Sequence, residues 1–192
     1  MNRFAKGAIA GAAGIALLLG GAGSFALWNG TATAAAGTIQ SGTMTIATTP
    51  GSAPSWTVTR GSTTTSIALI DNFRTVPGDV LTLTQKVDIS ATGDKLSAVL
   101  SIDPTSITSG NTTASRELAT AIASGVGLTI SGALPAGIVA GPTPNTYTVS
   151  GALGTKTLTV VASFAFDPAT SGTTAQGGTL DLTKLAFALA QQ

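Results

Sequence analysis

Apolar and polar residues alternate along much of the chain with the two-residue period of a half-buried β-strand. In "VLTLTQKVDIS", Leu81, Leu83, Val87 and Ile89 share one face, while Thr82, Thr84, Lys86 and Asp88 share the other. "TKTLTVVASFAF" places Leu158, Val160, Ala162, Phe164 and Phe166 together, which predicts a strand near the centre of a sheet. "LSAVLSID" repeats the plan with Leu96, Ala98, Leu100 and Ile102, and the "SATGD" before it reads as a turn, so these two strands are expected to pair as an antiparallel hairpin. Weaker alternation predicts strands at residues 43–48, 55–59, 65–70, 126–131 and 146–151. In the last stretch, "LDLTKLAFAL", parity changes between Leu182 and Leu185, the mark of one strand with a bulge near Lys184. Helical spacing occurs in "ASRELATAIAS", where Leu118, Ala121 and Ile122 fall at i, i+3 and i+4. Short strands, glycine-rich turns and one helical crossover predict an all-β fold, a two-sheet jelly-roll or Greek-key sandwich with one short surface helix.

The first thirty residues follow a different pattern. Arg3 and Lys6 precede the apolar run "GAIAGAAGIALLLGGAGSFALWNG", with Ile15 to Leu19 at its heart and small residues after it. Basic start, apolar middle and small-residue exit make up the plan of an export signal. Signal peptidases hold the chain extended in shallow pockets, so Ser24 and Ala26 fit the two small positions and the cut is expected after Ala26, leaving Leu27 first. Ala34-Ala35-Ala36 is a second small-residue site, but it lies far from the apolar middle. The competing reading is an uncleaved anchor, since about 20 apolar residues span a bilayer. Seven glycines between Gly7 and Gly30 weaken that helix, at roughly 1 kcal/mol each relative to alanine. The expected organisation is a cleaved signal over residues 1–26, an extended segment over 27–40 and a β-sandwich over 41–192.

Composition then removes most chemistry. The 166 residues after Ala26 are enough for one domain with its own core. Threonine occurs 33 times in the full chain beside 24 glycines, a β-protein composition in which threonine suits pleated surfaces and glycine supplies turns. Only 9% of residues are charged, the reverse of a disordered chain. Cysteine and histidine are both absent, which excludes disulfides, thiolate metal sites, two-histidine zinc motifs and the usual histidine base of a serine triad. No enzyme activity and no cofactor are expected. Seven basic and eight acidic residues remain after the signal, scattered singly, so no basic stripe is offered to nucleic acid.

The carboxylates Asp71, Asp79, Asp88, Asp94, Asp103, Glu117, Asp167 and Asp181 mostly neighbour Gly or Pro, or lie on wet strand faces, where solvated turn and surface residues are expected. "DPTS" and "DPAT" read as turns in which aspartate bonds its own backbone, without the density of oxygen ligands that calcium prefers. Trp56 reads as a core or sheet-edge residue rather than a sugar platform.

"LLLGGAGSFALWNGTATAAAGTIQSGTMTI" resembles the start of the TasA/camelysin-like family, proteins exported through the alternate (SipW-type) signal peptidase, and most of all those of high-GC Gram-positive bacteria. Signals of that family end in glycine-rich stretches followed by an aromatic and an alanine, and a strand opening resembling Ser41-Gly42-Thr43-Met44 follows. "VPGDVLTLTQKVDISATGDKLSAVLSI" is similar to its Pro-Gly-Asp turn and following strands, and "LTKLAFALAQQ" to its closing strand. The resemblance implies a jelly-roll subunit of extracellular biofilm-matrix fibres, secreted or held at the cell surface, whose freed N-terminal segment pairs as a strand in the next subunit. Some relatives are described as metalloproteases; without histidine or cysteine, that role does not carry over.

The residues themselves are compatible with assembly. In "LWNGTATAAAGTIQ", Trp28, Ala32, Ala34 and Ala36 fall on one face and Thr31 and Thr33 on the other, an uncharged segment suited to strand addition. The expected partners are copies of the same chain, joined head to tail, and the export signal peptidase, with membrane contact only in passing through the signal. No nucleic acid and no small-molecule substrate is expected. A monomeric exported adhesin or binding module is the alternative.

Overall fold

The computed structural model describes residues 37–192 together with Asn2, Ala12 and Ala13, and among the described residues from 37 onward there are twelve strands (β1–β12) and one α-helix (α1). The expected cleavage residues Ser24, Ala26 and Leu27, and the donor-segment residues Trp28, Ala32, Ala34 and Ala36, lie outside the described residues. Residues 40–192 form one unit.

The strands are β1 (Met44–Thr48), β2 (Ser55–Arg60), β3 (Thr63–Ile67), β4 (Val80–Ala91), β5 (Ser97–Ile102), β6 (Thr108–Ser109), β7 (Val126–Ser131), β8 (Ile138–Ala140), β9 (Tyr147–Ser150), β10 (Gly154–Ala165), β11 (Leu180–Asp181) and β12 (Phe187–Gln191). The helix α1 (Thr113–Ala123) starts where the Thr112 side chain accepts from the Ser115 N–H, an N-cap that satisfies one otherwise orphaned donor.

The larger sheet runs β3-β2-β4-β10-β7, with β1 also paired to β4. The smaller sheet runs β12-β5-β9-β8, and β6 and β11 form a separate ribbon. All pairings are antiparallel. The inner faces of the two larger sheets enclose one apolar cluster, in which Val87, Ile89, Leu158 and Val160 meet Ala98, Leu100 and Val149. The fold is an all-β sandwich.

β4 and β10 are each twelve residues long, about 40 Å at ~3.3 Å per residue. The smaller sheet covers only part of that length. Over the rest of the same face, Leu81, Leu83, Ala162 and Phe164 pack against Leu118 and Ile122 of α1 and against Ala175, with Leu180, Leu182 and Leu185 alongside. The period-two faces read from the sequence are therefore the two dry faces of β4 and β10, and the helix that was expected to cross between sheets closes one end of the core.

Gln85 sits on the dry face between these two clusters, 6% exposed. It is opposite a six-residue excursion: β1 and β2 lie end to end along one edge of β4, with Thr48 paired to Val87 and Ser55 paired to Thr84. Residues 49–54 form this excursion, and the Gln85 amide donates to Ser52 O at 3.2 Å and Lys86 O at 3.0 Å. A buried amide is thereby satisfied, as burial requires.

Three expectations are corrected. The predicted hairpin over residues 80–102 is instead an arch, because β4 pairs with β1, β2 and β10 while β5 pairs with β12 and β9 in the other sheet. The predicted last strand with a bulge at Lys184 is two strands in different sheets, separated by a turn in which Leu185 N–H donates to Leu182 O. The strand expected at 65–70 runs from Thr63 to Ile67, and Ile70–Asn72 form a 3-10 turn.

Candidate self-association surfaces

Most of the carboxylates have local structural roles. Asp103 and Asp181 accept from the hydroxyl and the backbone N–H of Thr105 and Thr183, which hold both carboxyls below their ordinary range. Asp167 accepts from Ala169 N–H in the same kind of turn. Asp88 accepts from Thr49 and Thr157 hydroxyls on the wet face, and Glu117 accepts from the Ala175 N–H at 2.9 Å. Among the described residues, no three acidic side chains gather as a metal-binding group.

Asp79 departs from the solvated turn residue expected of it: its side chain is wholly buried. Val76-Pro77-Gly78-Asp79 forms a type II turn, in which Gly78 takes φ +89° and Asp79 N–H donates to Val76 O at 3.0 Å. The carboxylate accepts from Arg60 Nε at 2.7 Å, Val76 N–H at 2.9 Å and the Thr75 hydroxyl at 3.4 Å. Burial pushes the carboxyl up, but the Arg60 hydrogen bond and charge, with the Val76 and Thr75 donors, outweigh it and leave the group below its ordinary value. Phe166 N–H donates to Asp79 O, so the same residue ties the start of β4 to the end of β10.

The edges of the sandwich are unequal. On one flank, β7 is latched: the Tyr147 hydroxyl accepts from Ile130 N–H at 3.0 Å, and the Asn145 side chain donates to Val126 O. The neighbouring edge, β8, has only three residues. On the other flank, β1 and β12 lie beside one another, and neither contains a charged residue or a proline. Among the described residues, the outer edges of β1, β3 and β12 pair with no strand. An apolar crevice of about 390 Å³ opens on this flank, lined by Ile46, Trp56, Leu83, Val87, Leu185 and Phe187. Natural monomers usually blunt such edges with charge, proline or bulges.

The two ends differ as well. Where β4 finishes and β10 begins, Thr43 is held to Thr92 by two backbone-anchored bonds, so the chain upstream of Gly42 joins the domain at this end. At the opposite end, a groove of about 920 Å³ lies over the helix-covered cluster, floored by Trp56, Phe73, Leu81, Leu118 and Phe166. One wall is the 170–183 segment, which α1 fixes through Glu117 to Ala175 and Ser115 Oγ to the Thr179 N–H. Trp56 packs on Phe164 at 6.0 Å between ring centroids, as a core residue would, yet it lines both openings. Sequence periodicity marks dry faces but not which parts of them stay uncovered, so neither opening is legible in it.

No family model, curated protein or solved structure matches this chain.

Proposed function

We propose that the chain is a secreted structural subunit of jelly-roll type, exported through a cleaved signal, that polymerises into extracellular biofilm-matrix fibres by donor-strand addition. The observation that supports this most is the unequal flanks. Among the described residues, two uncharged edges that pair with no strand border an apolar crevice on one side, while the other side is latched and short. A strand laid on β1 or β12 satisfies the free backbone groups and buries alternate side chains. The segment 27–40 supplies one from a neighbouring copy: 14 residues reach about 45 Å when extended, longer than β4.

Docking through Trp28 and a few alanines buries about 200 Å² of apolar surface, or about 5 kcal/mol. Ordering and association consume much of that, so assembly is marginal and sensitive to one buried charge. Deleting residues 27–38 is expected to leave the fold intact and abolish fibres, because a donor strand belongs to the neighbour's sheet and the dry faces of β4, β5 and β10 pack on one another. Ala34→Asp is expected to do the same, since an unpaired carboxylate in the pairing face costs several kcal/mol. Circular dichroism and sedimentation test both variants; a deletion that unfolds the domain overturns the donor-strand reading. The end groove favours a second reading, a monomeric surface adhesin or binding module, for which all variants sediment as monomers at every concentration.

A further inference from the structure

The outer, wet face of the larger sheet is nearly free of charge. The strand registers set its side chains in rows across the sheet, such as Ser66, Thr57, Thr82 and Ser163 on β3, β2, β4 and β10. Among the described residues, every position on this face of β1, β2, β3, β4, β7 and β10 is Thr, Ser, Ala, Val or Gly except Lys86 and Asp88. None of these positions is buried, and the smaller sheet and α1 both pack on the opposite face. From residue 37 onward, the other charged side chains lie in turns, in α1, in the β6–β11 ribbon or, like Arg60 and Lys156, at dry-face positions. Surfaces that stay in water usually carry charges of both signs on about a quarter of their residues or more, and loss of charge is the mark of an interface.

The two exceptions are opposite in sign and adjacent. Lys86 and Asp88 are two positions apart on β4, about 6.6 Å along the strand. Asp88 Oδ1 accepts from the Thr49 hydroxyl at 2.9 Å and the Thr157 hydroxyl at 2.6 Å, which orients the carboxylate. Among the described residues, Asp88 Oδ2 accepts from no donor and Lys86 Nζ finds no acceptor. A wholly basic or wholly acidic partner matches one of these charges and repels the other. A second copy turned end over end matches both.

We propose that the wet face of the larger sheet is a two-fold contact between copies of this chain, β4 lying antiparallel over β4, with Lys86 of each copy against Asp88 of the other. The axis passes between positions 86 and 88. In that register Thr84 of one copy faces Ser90 of the other, Thr157 faces Thr159, and Val161 faces Thr155. These side chains are small, so two twisted sheets can approach to about the 10 Å of ordinary sheet-on-sheet packing. Residues 83–91 of β4 overlap, about 30 Å, and with β1, β2, β10 and part of β7 alongside at ~4.8 Å per strand each copy covers about 500 Å². The total of about 1,000 Å² is the floor for a specific interface, so the dimer is weak between isolated copies. A two-fold contact closes on itself and does not extend. Between filaments of the kind proposed above it ties neighbours side by side, and only that consequence rests on the self-assembly reading.

Charge exchange tests the contact. The parent is residues 27–192 carrying Ala34→Asp, which removes donor-strand growth, and sedimentation over a range of concentrations is expected to show a monomer–dimer equilibrium. Lys86→Asp sets carboxylate against carboxylate, and Asp88→Lys sets ammonium against ammonium. Each is expected to raise the dissociation constant at least about tenfold. The two variants mixed in equal amounts restore both opposite-charge pairs, as does the double exchange Lys86→Asp with Asp88→Lys, so dimers are expected to return in both. Circular dichroism checks each fold. Asp88→Asn, which keeps an acceptor for both threonines, gives a further arm with weakened dimers expected. A parent that is monomeric at every concentration, reversals that dimerise like the parent, or a mixture no better than its components overturns the contact. Species larger than a dimer in the parent count against the donor strand, and the contact is then judged by the same order among the variants.

Discussion

Replacing Phe164 by alanine is expected to destabilise the domain by about 3–5 kcal/mol, the usual cost of deleting a buried aromatic ring. Phe164 is 1% exposed on the dry face of β10, opposite Leu81 on one side and Val126 on the other. Its ring also supports Trp56. A domain of this size has about 5–15 kcal/mol of stability in total, so the substitution removes a large share of it. Thr129→Ala, on the wet face of edge strand β7, is expected to stay within about 0.5 kcal/mol. Urea denaturation of both variants compares the two faces of the same sheet. Equal losses would mean that the alternation does not divide a dry face from a wet one.

Asp79→Ala is expected to cost about 2–3 kcal/mol near neutral pH, the range for hydrogen bonds to a charged group whose partners lose their acceptor. Arg60 and the Val76 N–H both lose theirs. The pH dependence has a definite sign. The Asp79 carboxyl lies below its ordinary value in the fold, so the unfolded chain takes up its proton first as pH falls. Its stabilisation is complete above the unfolded value, about 3.9, and is lost as pH drops through the lower folded value. The difference between parent and Asp79→Ala should therefore shrink on acidification below about pH 4, in denaturation curves taken from pH 7 to pH 2. Asp103 and Asp181 are lowered too, so the variant should keep a residual acid slope. A difference that grows on acidification would contradict the assigned ionisation of Asp79.

How much of this was legible in the sequence depends on range. The dry faces of β4 and β10, and the buried Leu118 and Ile122 of α1, follow from local periodicity, because a side chain's direction is set by its own strand or helix. The arch between β4 and β5 does not. "SATGD" turns the chain whether the next strand pairs beside the last or crosses to the opposite sheet, and distant partners β10 and β12 decide between them. The separation of β11 from β12 has the same cause, since each is fixed by a different partner strand. β6, β8 and β11, at two or three residues, are too short to show a period of their own. In the sequence Asp79 reads as solvated because its neighbours Pro77 and Gly78 mark a turn. Its burial is completed by Arg60, nineteen positions away, and by Phe166. The end groove lies where the long strands outrun the smaller sheet and the crevice lies between β1, β4 and β12 on one flank, both properties of the assembled layers.

Electron microscopy of purified residues 27–192 tests the self-assembly proposal most directly. Unbranched filaments are expected, with an axial repeat of about 40 Å, the length of the long strands, if copies stack end to end. Dispersed single particles at every protein concentration, or closed dimers that grow no further, would contradict it.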